Sequence, residues 1–89
     1  MKLSTEVYIK KNTLVVSGQF TAGNSSPFLG VSVDLTMTTN QYVGFYIKIT
    51  SGDSAGLISW ITGNDASKID LETGIPVANG DDFEIYRSD

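Results

Sequence analysis

Tyr42-Val-Gly-Phe-Tyr-Ile-Lys-Ile-Thr-Ser-Gly-Asp-Ser-Ala-Gly-Leu-Ile-Ser-Trp-Ile-Thr-Gly-Asn-Asp65 decides the fold class of this chain. From Tyr42 to Thr50, apolar side chains fall on alternate positions, Val43, Phe45, Ile47 and Ile49, with Lys48 and Thr50 between them. That is the period of a half-buried strand, and it predicts those four residues facing inward, with Tyr42 and Tyr46 opposite them. Ser51-Gly-Asp-Ser turns the chain, Leu57 to Ile61 resumes an extended apolar run, and Thr62-Gly-Asn-Asp closes it with residues that tolerate turn geometry. In the second run Leu57 and Ile61 share one face and Ile58 and Trp60 the other. A strand with bulk on both faces is either central in a sheet or half of an interface.

Working outward, the same pattern recurs. Thr5 to Lys10 alternates Val7 and Ile9 with Glu6, Tyr8 and Lys10, and Asn12 reads as a tight turn into a strand from Thr13 to Phe20, a first hairpin. Residues 22–27 read as the long loop. Phe28 to Leu35 follows as a strand with Leu29, Val31, Val33 and Leu35 on one face. Toward the C-terminus, Ser67 to Leu71 pairs Ile69 with Leu71, and Asp82 to Arg87 places Phe83 and Ile85 inward. About seven strands at intervals of about ten residues predict an all-β fold, a small antiparallel β-sandwich or barrel. The best helical stretch, Thr36 to Gln41, is too short to form a stable helix.

The chain has 89 residues, enough for one domain but only a thin core. It contains no cysteine and no histidine, so no disulfide reinforces that core, and the commonest metal ligand and general base are both missing. No cofactor is expected. Residues 1–40 carry Lys2, Lys10 and Lys11 against Glu6 and Asp34, while residues 41–89 carry three basic residues against eight acidic ones, for a net charge of −4. An acidic surface repels phosphate, which argues against nucleic-acid binding. No apolar run approaches a membrane span and the N-terminus lacks the apolar core of an export signal, so no membrane association is expected.

Three groups of residues invite chemical readings. Asp81, Asp82 and Glu84 place carboxylates close enough in sequence for an acid and base pair, yet Gly80-Asp-Asp also reads as a turn before an edge strand. Asn64, Asp65 and Asp70 offer oxygen ligands at a spacing that matches no calcium loop, and turn capping accounts for them better. The nine glycines include no dinucleotide-binding or phosphate-binding pattern. An enzyme is therefore not expected. The aromatics point elsewhere: Ile58, Trp60, Tyr42 and Tyr46 are candidates for self-association, and a sugar-stacking platform on Trp60 is the competing use of the same rings.

Taken in order, Gly18-Gln-Phe-Thr-Ala-Gly23, Leu35, Tyr42-Val-Gly44, Thr50-Ser-Gly-x-x-x-Gly-Leu-Ile-x-x-Ile-Thr-Gly63, Ile69 with Leu71, Pro76, and Gly80-Asp-Asp-Phe-Glu-Ile85 resemble a β-rich module of tailed-bacteriophage virion proteins. Each piece is short and generic; the order and spacing over residues 16–86 carry the resemblance. It implies a structural role in capsid decorations, fibres or tail parts, and transfers no catalytic residue. The resemblance does not choose among these locations; the first expectation is a capsid decoration or cement protein, made in the host cytoplasm and carried on the capsid surface. Such a protein binds the major capsid protein and assembles as a homotrimer. The alternative is a fibre or tail-tip module that binds host-surface glycan. Residues 1–15 then form an N-terminal arm or hairpin and residues 16–89 a single β domain. Val7, Ile9, Lys10 and Lys11 are the candidate capsid contacts, through strand addition and charge.

Overall fold

The computed structural model describes residues 12–23, 26–33 and 35–88. They form six strands, β1 (Asn12–Gln19), β2 (Leu29–Val31), β3 (Tyr46–Ile49), β4 (Ile58–Asn64), β5 (Lys68–Leu71) and β6 (Asp82–Ser88), and no helix. All pairings are antiparallel, in one sheet of order β1-β6-β3-β4-β5-β2. The all-β antiparallel expectation therefore holds. The seventh expected strand, residues 5–10, lies outside the described residues, as do Val7, Ile9, Lys10 and Lys11. Asn12 is not a turn residue: it is the first residue of β1, opposite Ser88. Thr36 to Gln41 forms loop and turn, too short for a helix to repay its nucleation.

Register explains which face is buried. Ile47 stands opposite Ile85 and Ser59, Ile49 opposite Phe83, and Ile61 opposite Leu71, so the odd-numbered positions of β3, β4, β5 and β6 line one side. That side meets Phe20, Met37, Tyr42, Ile75 and Val77, which come from the connecting segments and complete the core, with Val16, Leu35 and Phe45 packed against it. The sheet curls over this core. Near the ends of β1 and β2, the two outermost strands, the Thr21 N–H donates to the Val31 carbonyl at 2.9 Å and the Ser32 hydroxyl to the Gln19 carbonyl at 2.7 Å.

Close curvature depends on two glycines. A Cβ on Gly30 would lie 2.5 Å from the Phe20 ring, and one on Gly18 would lie 2.8 Å from the Phe83 ring. The missing side chains let two phenyl rings, themselves 4.6 Å apart, sit directly on the sheet backbone. Both rings are fully buried.

The structure corrects four details of the expected pattern. The strand predicted from Tyr42 begins only at Tyr46, because Asn40 and Gly44 adopt positive φ and residues 39–44 turn instead of extending. Val43 consequently projects outward, 45% exposed, and Tyr42 swings into the core. The strand predicted over residues 28–35 is only three residues long: Gly30 is its inward position, and Val33, past its end, is exposed. Leu57 precedes β4, lies outside its pleat, and is half-exposed instead of sharing the buried face of Ile61.

Candidate functional site

Cross-strand register builds a row of large side chains on the opposite, outer face. Leu14 of β1 lies opposite Tyr86 of β6, Tyr86 opposite Tyr46 of β3, and Tyr46 opposite Trp60 of β4. The row continues to Glu72, just past β5, whose N–H donates to the Trp60 carbonyl at 3.0 Å. Leu14 and Trp60 are each about half-exposed, and Ile58, two residues from Trp60 on the same face, is 51% exposed. A parallel row of Ser17, Glu84, Lys48 and Ile58 runs beside it.

The rings hold one another. Tyr46 stacks on Tyr86 with centroids 5.2 Å apart and meets Trp60 edge-on at 5.8 Å, so it is only 7% exposed although it points away from the core. The Tyr86 hydroxyl donates to Glu84 Oε1 at 2.6 Å. This bond, helped by partial desolvation and by the carboxylate charge, pushes the Tyr86 phenol above the usual tyrosine range. Tyr46, Ile58, Ser59, Trp60, Glu72 and Thr73 line a shallow groove of about 290 Å³. Below it the Ser59 hydroxyl, on a buried side chain, accepts from the Thr73 N–H and donates to the Trp60 carbonyl, both at 2.9 Å, which ties the groove floor together.

Of the four residues expected at a contact surface, the fold brings Ile58, Trp60 and Tyr46 together and removes Tyr42. The Tyr42 ring faces the core beside Phe45, at 5.7 Å, and its N–H donates to Asn64 Oδ1 at 2.9 Å. Leu14 and Glu72 complete the surface and were not singled out in the sequence. In the sequence Leu14 shares the phase of Val16, Gly18 and Phe20, and only the bulge between Leu14 and Val16 turns it to the outer face.

The carboxylates weighed for chemistry hold turns and edges. Asp81 Oδ2 accepts from the Ala78 N–H at 2.9 Å, and Asp82 accepts from Gln19 Nε2 at 3.2 Å and from the Ser51 hydroxyl at 3.3 Å. Asp81 also borders a second cavity, of about 340 Å³, with Gly52, Asp53, Pro76, Val77 and Ala78. Asp65 Oδ1 accepts from the N–H groups of Ser67 and Lys68, which hold its carboxyl below the usual aspartate range with help from the Lys68 charge. Asn64 is buried and spans two segments: its Nδ2 donates to the Thr38 and Asp65 carbonyls.

Comparison with protein-family models, with curated proteins and with solved structures gives no match.

Proposed function

We propose that this chain is a structural protein of a tailed-phage virion, a capsid decoration or cement subunit that docks on the major capsid protein and associates as a homotrimer. The observation that carries docking is the half-exposed apolar row of Leu14, Trp60 and Ile58 on a rigid sheet face. These side chains are already about half-buried, so covering the rest is worth roughly half of the 1.5–3 kcal/mol of full burial, and the Trp60 ring, already held by Tyr46, loses little freedom on binding. The virion setting comes from the ordered resemblance over residues 16–86. A small core without disulfides gains further from association, since a partner that binds only the folded form stabilises it.

The test uses heads assembled without this protein. Purified chain is mixed with them and sedimented, and the expected result is saturable co-sedimentation together with raised resistance of the heads to heat. Ile58→Ser, at an exposed position, should keep the fold and weaken decoration. Sedimentation equilibrium in the absence of heads should give about three times the 9.6 kDa chain mass. Heads that never bind the wild-type chain would remove the proposal.

A further inference from the structure

Trp60 and Glu72 are cross-strand neighbours on the outer face, tied by the 3.0 Å bond from the Glu72 N–H to the Trp60 carbonyl. Both residues line the same groove. The indole is 45% exposed, with its orientation set by the edge-on contact to Tyr46. Among the described residues the Glu72 carboxylate has no hydrogen-bond or ion-pair partner. Among the described residues, Lys48 of this face stands opposite Glu84 and Ile58 by register. A half-exposed indole thus lies beside a carboxylate that has no partner among the described residues.

We infer that this groove receives an arginine side chain of the protein on which the chain docks. The planar guanidinium lies over the Trp60 indole while its N–H groups fork onto the Glu72 carboxylate. This rests on the docking proposal and adds the chemistry of the partner. Charge favours a cation: the Glu72 carboxylate in the same groove attracts a guanidinium and repels an acidic sugar. Shape selects arginine over lysine, since a flat ring flanked by a carboxylate matches a planar fork better than a hydrated point charge.

Trp60 is the single tryptophan, so its indole N–H gives one side-chain signal in a proton–nitrogen correlation spectrum. Titrating the intact labelled protein with Nα-acetyl-arginine amide should shift that signal saturably, along with the amides of Ile58 and Thr73. The citrulline analogue, equal in shape but uncharged, should leave them in place. Glu72→Gln, at an exposed position, should weaken arginine binding about fivefold while the rest of the spectrum superimposes on wild type. An equal response to citrulline, full affinity in E72Q, or a saturable shift with glucose or N-acetylglucosamine in place of arginine overturns the inference. Head binding separates the two proposals. Heads that bind wild type and E72Q equally overturn the arginine groove and leave docking standing. Heads that bind neither overturn docking, while the arginine titration still judges the groove.

Discussion

The Tyr46 and Tyr86 rings stack 5.2 Å apart with planes 13° from parallel, across the β3–β6 pair and on the face turned away from the core. The contact buries Tyr46 almost fully outside the main core, so the outer face contributes stability as well as a surface. Tyr46→Ala should cost about 3 kcal/mol, near the lower end for a buried aromatic. A double-mutant cycle with Tyr86→Ala should return a coupling of about 1 kcal/mol. Urea denaturation of the four proteins checks it; strict additivity would mean that the rings are neighbours without interacting.

Ile47, Phe45 and Val43 form a series that reads the register directly. Ile47 is fully buried, Phe45 only partly buried against the core, and Val43 projects outward. Alanine at Ile47 should cost roughly 2–5 kcal/mol, at Phe45 less than the 3–5 kcal/mol typical of a buried Phe, and at Val43 within about 0.5 kcal/mol. A large loss at Val43, measured by the same denaturation curves, would restore the unbroken strand from Tyr42.

Where alternation was uninterrupted, sequence reading located the core correctly. Phe83 with Ile85, Ile69 with Leu71, and Ile47 with Ile49 are all buried, because a period of two in a paired strand leaves little choice of face. The same rule failed at Tyr42 and Val43. The alternation continued there in the letters, but positive φ at Asn40 and Gly44 breaks the pleat, and the partner that fixes Tyr42, the Asn64 side chain, is 22 residues away. The outer row was half legible. Trp60 and Ile58 shared a face by spacing, but their adjacency to Tyr46, Tyr86 and Leu14 depends on strand order, and β6 lying between β1 and β3 is a long-range fact.

Asn64 is the polar residue on which the 38–42 turn depends. Its side chain is buried, and its amide accepts from the buried Tyr42 N–H and donates to two partly buried carbonyls, all within 3.0 Å. Asn64→Ala should cost about 2–4 kcal/mol, since it leaves buried backbone groups without partners. Asn64→Asp keeps the acceptor but replaces the donor with a carboxylate oxygen facing two carbonyl oxygens, so it should be at least as damaging near neutral pH and partly recover in acid. Hydrogen exchange should show Tyr42 losing protection first; unchanged protection in Asn64→Ala would remove the role.

Two titrations should bear on stability from opposite ends of the pH scale. The folded-state phenol of Tyr86 is raised, so above the ordinary value of about 10 the unfolded chain loses a proton that the folded chain keeps, and stability falls as pH rises. The Asp65 carboxyl is lowered, so its contribution is present above the ordinary value of about 3.9 and is lost as pH falls through the lower folded value. Glu84→Gln removes the charged acceptor from Tyr86, and the phenolate absorbance curve should then begin at lower pH than in wild type. Superimposable curves would show that Glu84 does not govern this phenol.

The packing of the Phe20 ring on the Gly30 backbone makes the sharpest test of the curled sheet. Gly30 is the inward position of β2, and Phe20 follows β1, so the contact joins the two outermost strands through a ring resting on bare backbone. An added methyl group would sit 2.5 Å from the ring, and the neighbour that must yield is fully buried. Gly30→Ala should therefore cost roughly 1–3 kcal/mol through overpacking, although alanine itself is at home in a strand conformation with negative φ. Shortening the ring partner should relieve that strain. Phe20→Leu alone opens a space and destabilises, but the combination of Phe20→Leu with Gly30→Ala should be more stable than the sum of the single losses. Denaturation midpoints of the pair and both singles decide it: a purely additive double mutant would mean that the two residues do not share the space, and that the edges of the sheet meet through the Thr21 to Val31 hydrogen bond without this packing.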